Sequence, residues 1–365
     1  MMNLDSFLKV MVDMDASDLF FSVGAPVNAK VEGLLKPLTE SRLQPGNVKT
    51  LAYSIMSADQ IQEFEAEFEM NLAFSASGVG RFRVNVFRQR GEVSMVIRRI
   101  KTAIPTIAEL NLPDVLNELI MEPRGLILVV GSSGSGKSTT LASMIDRRNK
   151  TRTGHILTIE DPIEFMHDHQ QSVIDQREVG TDTRSYAHAL RNAMREAPDV
   201  IMIGEIRDME TMQQAMAYAQ TGHLCIATLH ATNAYLTLER ILNFFPDSAH
   251  RQLYEDLSLN LRAIISQRLL TGKDGKRLPA VEVMLNTPHI SDLIQHGEME
   301  KIKKAMDESG DKNMKSFDQA VYDLYVEGKV STAEALKNAN SPGNVKTRIR
   351  LNHGEMETGL DELEL

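Results

Sequence analysis

The sequence predicts an α/β protein: a mostly parallel sheet covered on both faces by helices, preceded by a smaller α+β domain. Three observations predict it. Short apolar runs at 126–130, 156–159, 200–203, 224–229 and 281–284 alternate with helical segments, the pattern of βαβ units around a buried sheet. The first run leads straight into Gly131-Ser132-Ser133-Gly134-Ser135-Gly136-Lys137-Ser138, which fits G-x-x-x-x-G-K-[ST] at every fixed position. Ahead of both, residues 1–100 carry short alternating segments separated by turn residues, and end in a connection marked by Pro105 and Pro113.

Within 1–100, residues 7–12 make a short amphipathic helix, and Ser17-Asp18 lead into the apolar run Leu19-Phe20-Phe21. Gly24-Ala25-Pro26 turns the chain before an alternating segment at 27–31. Residues 58–68 suit a charged helix. Residues 80–87 alternate well, and 93–97 mirror them across Arg90-Gly91, which reads as a hairpin at the edge of a sheet. The stretch 101–115 reads as a linker and 116–340 as the larger domain. There the helix after Lys137 carries Leu141, Met144 and Ile145 on one face. After Ala339 the chain turns polar, and 354–365 holds five acids and no base, so 341–365 is expected as a mobile acidic tail.

The chain has 50 acidic and 40 basic residues and a net charge of −10. That balance argues against a general nucleic-acid binder, because neutralising phosphates needs a broad basic surface. The single cysteine, Cys225, excludes an internal disulfide and a multi-cysteine zinc site, and is expected as a small apolar residue in a buried strand. Residues 1–5 lack the basic-then-apolar pattern of a secretory leader. No apolar run reaches the ~18 residues of a membrane span. A cytosolic chain is expected, docking at most on a membrane complex.

The phosphate-loop pattern needs its residue types. The glycines let the backbone curl until successive N–H groups point inward at phosphate oxygens. Lys137 adds a point charge near the β- and γ-phosphates, the Ser138 hydroxyl can ligate Mg²⁺, and the following helix aims its positive end at the same anion. The pattern therefore points to binding and hydrolysis of Mg-ATP.

Ligands in open α/β sheets sit beyond the carboxyl ends of the strands. Three further segments occupy such ends: 158–164, 202–208 and 227–232. A carboxylate there can hold Mg²⁺ or polarise the attacking water, and a histidine can sense the γ-phosphate or orient a neighbour. Glu205 is the best single choice, since four apolar residues deliver it. The Asp usual before such a Glu is Gly204 here, so metal ligation falls to other carboxylates. His167-Asp168-His169 reads as a solvated loop rather than a metal site. Met209, Met212 and Met216 form a stripe expected in the core or at a subunit interface.

These motifs in this order resemble the secretion ATPase superfamily, and within it the PilT/PilU family of type IV pilus retraction ATPases, over residues 5–340. The resemblance implies a RecA-like P-loop ATPase core behind a PAS-like N-terminal domain, which Ser17-Asp18-Leu19 and Arg81-Phe82-Arg83-Val84 also resemble. The family's phosphate loop, Asp box, degenerate Walker B and His box fall at 131–138, 160–164, 203–208 and 222–230. By position, Lys137 and Ser138 would bind phosphate and Mg²⁺, with Ser133, Gly134, Ser135, Gly136 and Thr139 completing the ATP cradle. Glu164 would be the Asp-box carboxylate and a metal ligand, and Glu205 the catalytic glutamate. His223 and His230 would be the His-box residues, with His223 on the nucleotide and His230 in catalysis. Arg81 and Arg98 match the arginines that reach a neighbouring subunit's nucleotide.

Two departures qualify the match. Where PilT-type motors carry Ala-Ile-Arg-Asn-Leu-Ile-Arg-Glu, this chain has His289-Ile290-Ser291-Asp292-Leu293-Ile294-Gln295-His296, and its tail is longer and acidic. Both resemble PilU-type accessory members of the family. The resemblance thus implies a homo-hexameric motor using ATP and Mg²⁺, cytoplasmic and peripheral to the inner membrane. It would work with a PilT-type retraction ATPase and an inner-membrane pilus platform protein, with no nucleic acid. The alternative is a non-motor, ATP-responsive subunit that stimulates the main retraction ATPase. Extension ATPases usually carry a four-cysteine zinc site, which one cysteine cannot supply.

Overall fold

The computed structural model describes residues 3–31, 33–100 and 103–353. Two compact units emerge: Met1–Ala103 with Ile163–Met166, and Ile104–Pro162 with His167–Leu365.

The first unit is built on a six-stranded antiparallel sheet of β1 (Asp18–Phe21), β2 (Asn28–Val31), β3 (Leu34–Pro37), β4 (Glu69–Ala76), β5 (Gly80–Gln89) and β6 (Glu92–Arg99), in the order β3-β2-β1-β6-β5-β4. Its period-2 patterning is plain in β5, where Phe82, Val84 and Val86 are buried while Arg81, Arg83 and Asn85 stay partly exposed on the other face. The inward face joins Leu8 and Met11 of the helix Leu4–Asp13 and Phe64 of the helix Ala58–Glu67 in one core. That second helix starts on a reciprocal cap between Ser57 and Gln60. The 80–97 hairpin forms, but not at an edge: β6 pairs with β1 and β5 pairs with β4. The strand that covers it, β4, alternates Met70 and Leu72 inward with Glu69 and Asn71 outward, a signal the sequence reading passed over.

The second unit holds β7 (Gly125–Val130), β8 (Gly154–Glu160), β9 (Ser172–Glu178), β10 (Val200–Ile203), β11 (Leu224–Leu229), β12 (Leu261–Thr271) and β13 (Arg277–Leu285), in the order β13-β12-β7-β11-β10-β8-β9. Every neighbouring pair is parallel except the β12–β13 hairpin. The run 281–284 thus belongs to the one antiparallel strand, and β9 and β12 were not foreseen. In β7 all six residues are buried, because alternate side chains enter cores on opposite faces of the sheet. Leu126, Leu128 and Val130 join one with Met212 and Met216, and Ile127 and Val129 join the other with Leu141, Met144 and Ile145. Met209, the first residue of the methionine stripe, stays exposed. Cys225 is fully buried in β11, and burial pushes its thiol up to about 12.

Three expectations need correction. Three residues of the expected linker 101–115 are core: Ile107, Leu112 and Val115 are buried against β7 and the helix Lys137–Thr151. The expected tail begins as a helix, Pro342–His353, whose Val345 and Ile349 are buried beside Tyr322, with Arg348 over the Tyr322 ring at 4.2 Å. Residues 354–365 lie outside the described residues. Of the His167–His169 loop, only Asp168 and His169 are solvated. His167 is buried, which holds its imidazole down near about 4, and His169 accepts a hydrogen bond from the Ile174 amide at 3.1 Å. Among the described residues no cluster of three metal-ligating side chains occurs, and no helix is long and apolar enough to cross a membrane.

Candidate active site

The phosphate loop begins where β7 ends. Gly131, Gly134 and Gly136 all take positive φ, at 155°, 76° and 94°, so the chain curls back before the helix Lys137–Thr151 starts. Two of the glycines have no alternative. A Cβ on Gly131 would stand 2.3 Å from Ser135 Oγ and 2.5 Å from the Gln267 carbonyl, and one on Gly136 would stand 2.8 Å from Gln267 Nε2. Gln267 lies on β12 and is buried; its Oε1 accepts a 2.8 Å hydrogen bond from Thr140 Oγ1 in the helix's first turn. This one residue backs the loop at both fixed glycines, with its carbonyl at Gly131 and its side chain at Gly136. The sequence reading missed it, although Ser266-Gln267 is a polar pair inside an apolar run.

The loop fits a phosphate on its own features. Gly136 has no side chain to cap the helix, so its first N–H groups face the loop without one. The Ser135 hydroxyl is buried without a hydrogen-bond partner among the described residues. Lys137 Nζ donates to the Gly131 and Ser132 carbonyls at 3.0 Å each, which lays the ammonium across the mouth of the curl. Burial holds that ammonium below its ordinary range, against the raising influence of the Glu205 charge. Ser133, Gly134 and Ser138 are exposed, and Thr139 is half-buried.

The carboxylates come from the neighbouring strand ends. At the end of β8, Glu160 is buried and accepts from Thr158 Oγ1 at 2.7 Å and from Gln176 Nε2 at 3.2 Å. Beyond β10 the backbone is pinned on both sides: the Gly204 amide donates to the Ile159 carbonyl and the Ile206 amide to the Thr228 carbonyl, each at 2.8 Å. The Thr228 hydroxyl also donates to the Gly204 carbonyl. Glu205 then projects as a mostly buried carboxylate, 17% exposed, with His230 Nε2 at 3.0 Å from Oε1. Arg207 places Nε at 2.8 Å and Nη2 at 2.7 Å from Oε2, and its Nη1 lies 3.6 Å from Asp161 Oδ2. Neither Arg207 nor Asp161 was singled out from the sequence. The glycine at 204 has a packing reason. A Cβ there would stand 2.7 Å from the Tyr186 hydroxyl and 3.1 Å from the Ile159 carbonyl, so a larger residue would have to displace the Tyr186 side chain.

One expected site residue falls elsewhere in the same unit. His223 is not at the nucleotide end of the sheet. It precedes β11, whose Leu224 pairs with Gly125 while Leu229 pairs with Val130. Six strand residues at ~3.3 Å each put it roughly 20 Å from the loop. There it packs edge-on to Tyr218 at 5.9 Å, with Nδ1 3.1 Å from the Thr221 hydroxyl. Glu164, Arg81 and Arg98 belong to the first unit. Glu164 is exposed. Arg98 Nε donates to Asp18 Oδ1 at 2.7 Å, where Asp18 is buried and the arginine side chain is 59% exposed. Arg81 is half-buried, and its Nε has no hydrogen-bond partner among the described residues.

Comparison with known proteins agrees with this geometry. Residues 2–276 match the family model described as Type II/IV secretion system protein. The chain is 49% identical to the type IV pilus ATPase PilU of Pseudomonas aeruginosa, over 96% of this chain and 92% of that protein. It is 39% identical to the PilT retraction ATPase of the same organism, over 94% of this chain and all of that one. The crystal structure of the pilus retraction motor PilT with bound ADP superposes with a TM-score of 0.90 at 41% identity, covering 95% of this chain and all of that chain. A nucleotide cradle, a carboxylate beside it and this likeness along both units agree: the chain is an ATPase of the PilT/PilU family of type IV pilus ATPases, within the Type II/IV secretion system proteins.

Proposed function

We propose that the chain is a homo-hexameric motor of the type IV pilus machinery, hydrolysing ATP to drive or assist pilus retraction together with a PilT-type ATPase. The observation that carries this reading is the placement of the phosphate loop and the Glu205–His230 pair at the carboxyl ends of the adjoining strands β7, β10 and β11. In this reading the loop amides from Ser133 to Thr139 and the Lys137 ammonium hold the β- and γ-phosphates. Ser138 would hold Mg²⁺, which when bound neutralises charge on the phosphate oxygens. Glu205 orients the attacking water, and His230 steadies Glu205. The protein works at the cytoplasmic face of the inner membrane, against a pilus platform protein. Likeness to PilU supports the accessory role. Turnover by the purified chain, rising when the PilT-type partner is added, is the expected result. A chain that never turns over yet raises its partner's rate would favour the regulatory reading instead.

The ring reading gives a second expectation. If Arg81 or Arg98 completes a neighbouring subunit's site, an Arg81→Ala, Arg98→Ala double variant and a Lys137→Ala variant are each inactive, yet regain partial activity when mixed. Fingers supplied in trans are worth roughly 10³–10⁵ in rate in GTPases, so even a few intact interfaces are measurable by phosphate release. A double variant that stays fully active would mean that these arginines are surface charges of the hairpin.

A further inference from the structure

The carboxylate proposed to orient water is held by a neighbour two residues along its own strand end, Arg207, to which no role has yet been given. Glu205 has a pinned backbone, but its side chain can still rotate. Its two oxygens have separate partners: Oε1 meets His230 Nε2 at 3.0 Å, and Oε2 meets Arg207 Nε and Nη2 at 2.8 and 2.7 Å. The guanidinium is itself held at its far edge, with Nη1 3.6 Å from Asp161 Oδ2. Its backbone is fixed on both sides, by the Ile206 amide on the Thr228 carbonyl and by Asp208, whose side chain caps the helix Met209–Gln220 through the Thr211 amide at 2.8 Å. Two guanidinium N–H groups converge on Oε2 while His230 takes Oε1, so each carboxylate oxygen has its own partner, and the ion pair with Asp161 favours that placement of the guanidinium.

We propose that Arg207 is a positioning residue for ATP hydrolysis, holding the Glu205 carboxylate in its reactive orientation, with Asp161 as the anchor of that guanidinium. The inference rests on Glu205 being the water-orienting group. Arg207 is 56% exposed and Asp161 38% exposed, and a pair so exposed contributes little to folding. Its effect therefore belongs in turnover. Lysine supplies the charge without the fork, so it cannot hold two edges at once.

The test measures steady-state ATP hydrolysis and melting temperature of the full chain carrying Arg207→Gln, Arg207→Lys, Asp161→Asn, the Asp161→Asn, Arg207→Gln pair, and Glu205→Gln. Misplacing a catalytic group by an ångström costs on the order of 100-fold, so Arg207→Gln is expected to lower kcat about 10- to 100-fold. KM for ATP and melting temperature should stay near wild type, and Arg207→Lys should not restore kcat. Asp161→Asn should lower kcat by a smaller factor in the wild-type background and by none in the Arg207→Gln background, since it acts only through the guanidinium. Glu205→Gln inactive with Arg207→Gln at wild-type kcat would overturn the positioning role alone. Equal losses from Asp161→Asn in both backgrounds would overturn the anchor. Normal turnover by Glu205→Gln would remove the catalytic reading itself, and this inference with it. If Arg207→Gln melts early, the Asp161→Asn comparison in the Arg207→Lys background decides in the same way.

Discussion

Lys137→Ala is expected to abolish ATP hydrolysis and leave the fold intact. The ammonium lies across the phosphate loop on the Gly131 and Ser132 carbonyls, half-buried and already pushed below its ordinary range by burial. A cation held over the loop is poised for the phosphates, where it stabilises charge that develops in transfer. Removing one such donor costs on the order of 10²–10³ in kcat in well-studied hydrolases, and a full charge at the phosphates costs more. The fold should not suffer, because Gln267 and the helix hold the loop from the other side through Thr140 and the two glycines. Phosphate release falling to background, with an unchanged melting curve, is the expected pair of results. Wild-type turnover in the alanine variant would overturn the site assignment.

Glu205→Ala should keep nucleotide binding and lose turnover. A carboxylate that orients water acts mainly in the transition state, so its removal lowers kcat and leaves affinity nearly unchanged. General-base groups contribute about 10²–10⁴ in rate, which sets the loss to look for. The variant leaves Arg207 and His230 without their shared partner, but both are more than 40% exposed and water can satisfy them. Affinity measured with a fluorescent ATP analogue separates the outcomes. If affinity collapses with the rate, Glu205 is a metal-binding or structural residue, and Glu164 takes the catalytic role.

How much of this was legible depends on how the information is spread along the chain. Residues 131–138 announce themselves because loop curvature, charge and helix start are encoded in eight consecutive positions. The strands 200–203 and 224–229 were read without error because doubly covered strands are continuous apolar runs. The residues around the loop were not so legible. Arg207 matters through Asp161, and Gln267 matters through Gly131 and Gly136, residues brought together only by strand order.

Two errors show the same division. His223 and His230 looked like one motif, but a six-residue strand lies between them and carries them to opposite ends of the sheet. The hairpin 80–97 was correct in itself, yet its place depended on β1 and β4, which local alternation cannot specify. The sequence alone determined the ATPase chemistry, the period of each strand and the loop that holds phosphate, because each is set by short-range sterics and the burial of neighbouring side chains. Only the tertiary structure decided which carboxylate, guanidinium and amide stand together around that loop. Those contacts are set by the pairing of strands far apart in the chain, and pairing is a property of the whole sheet.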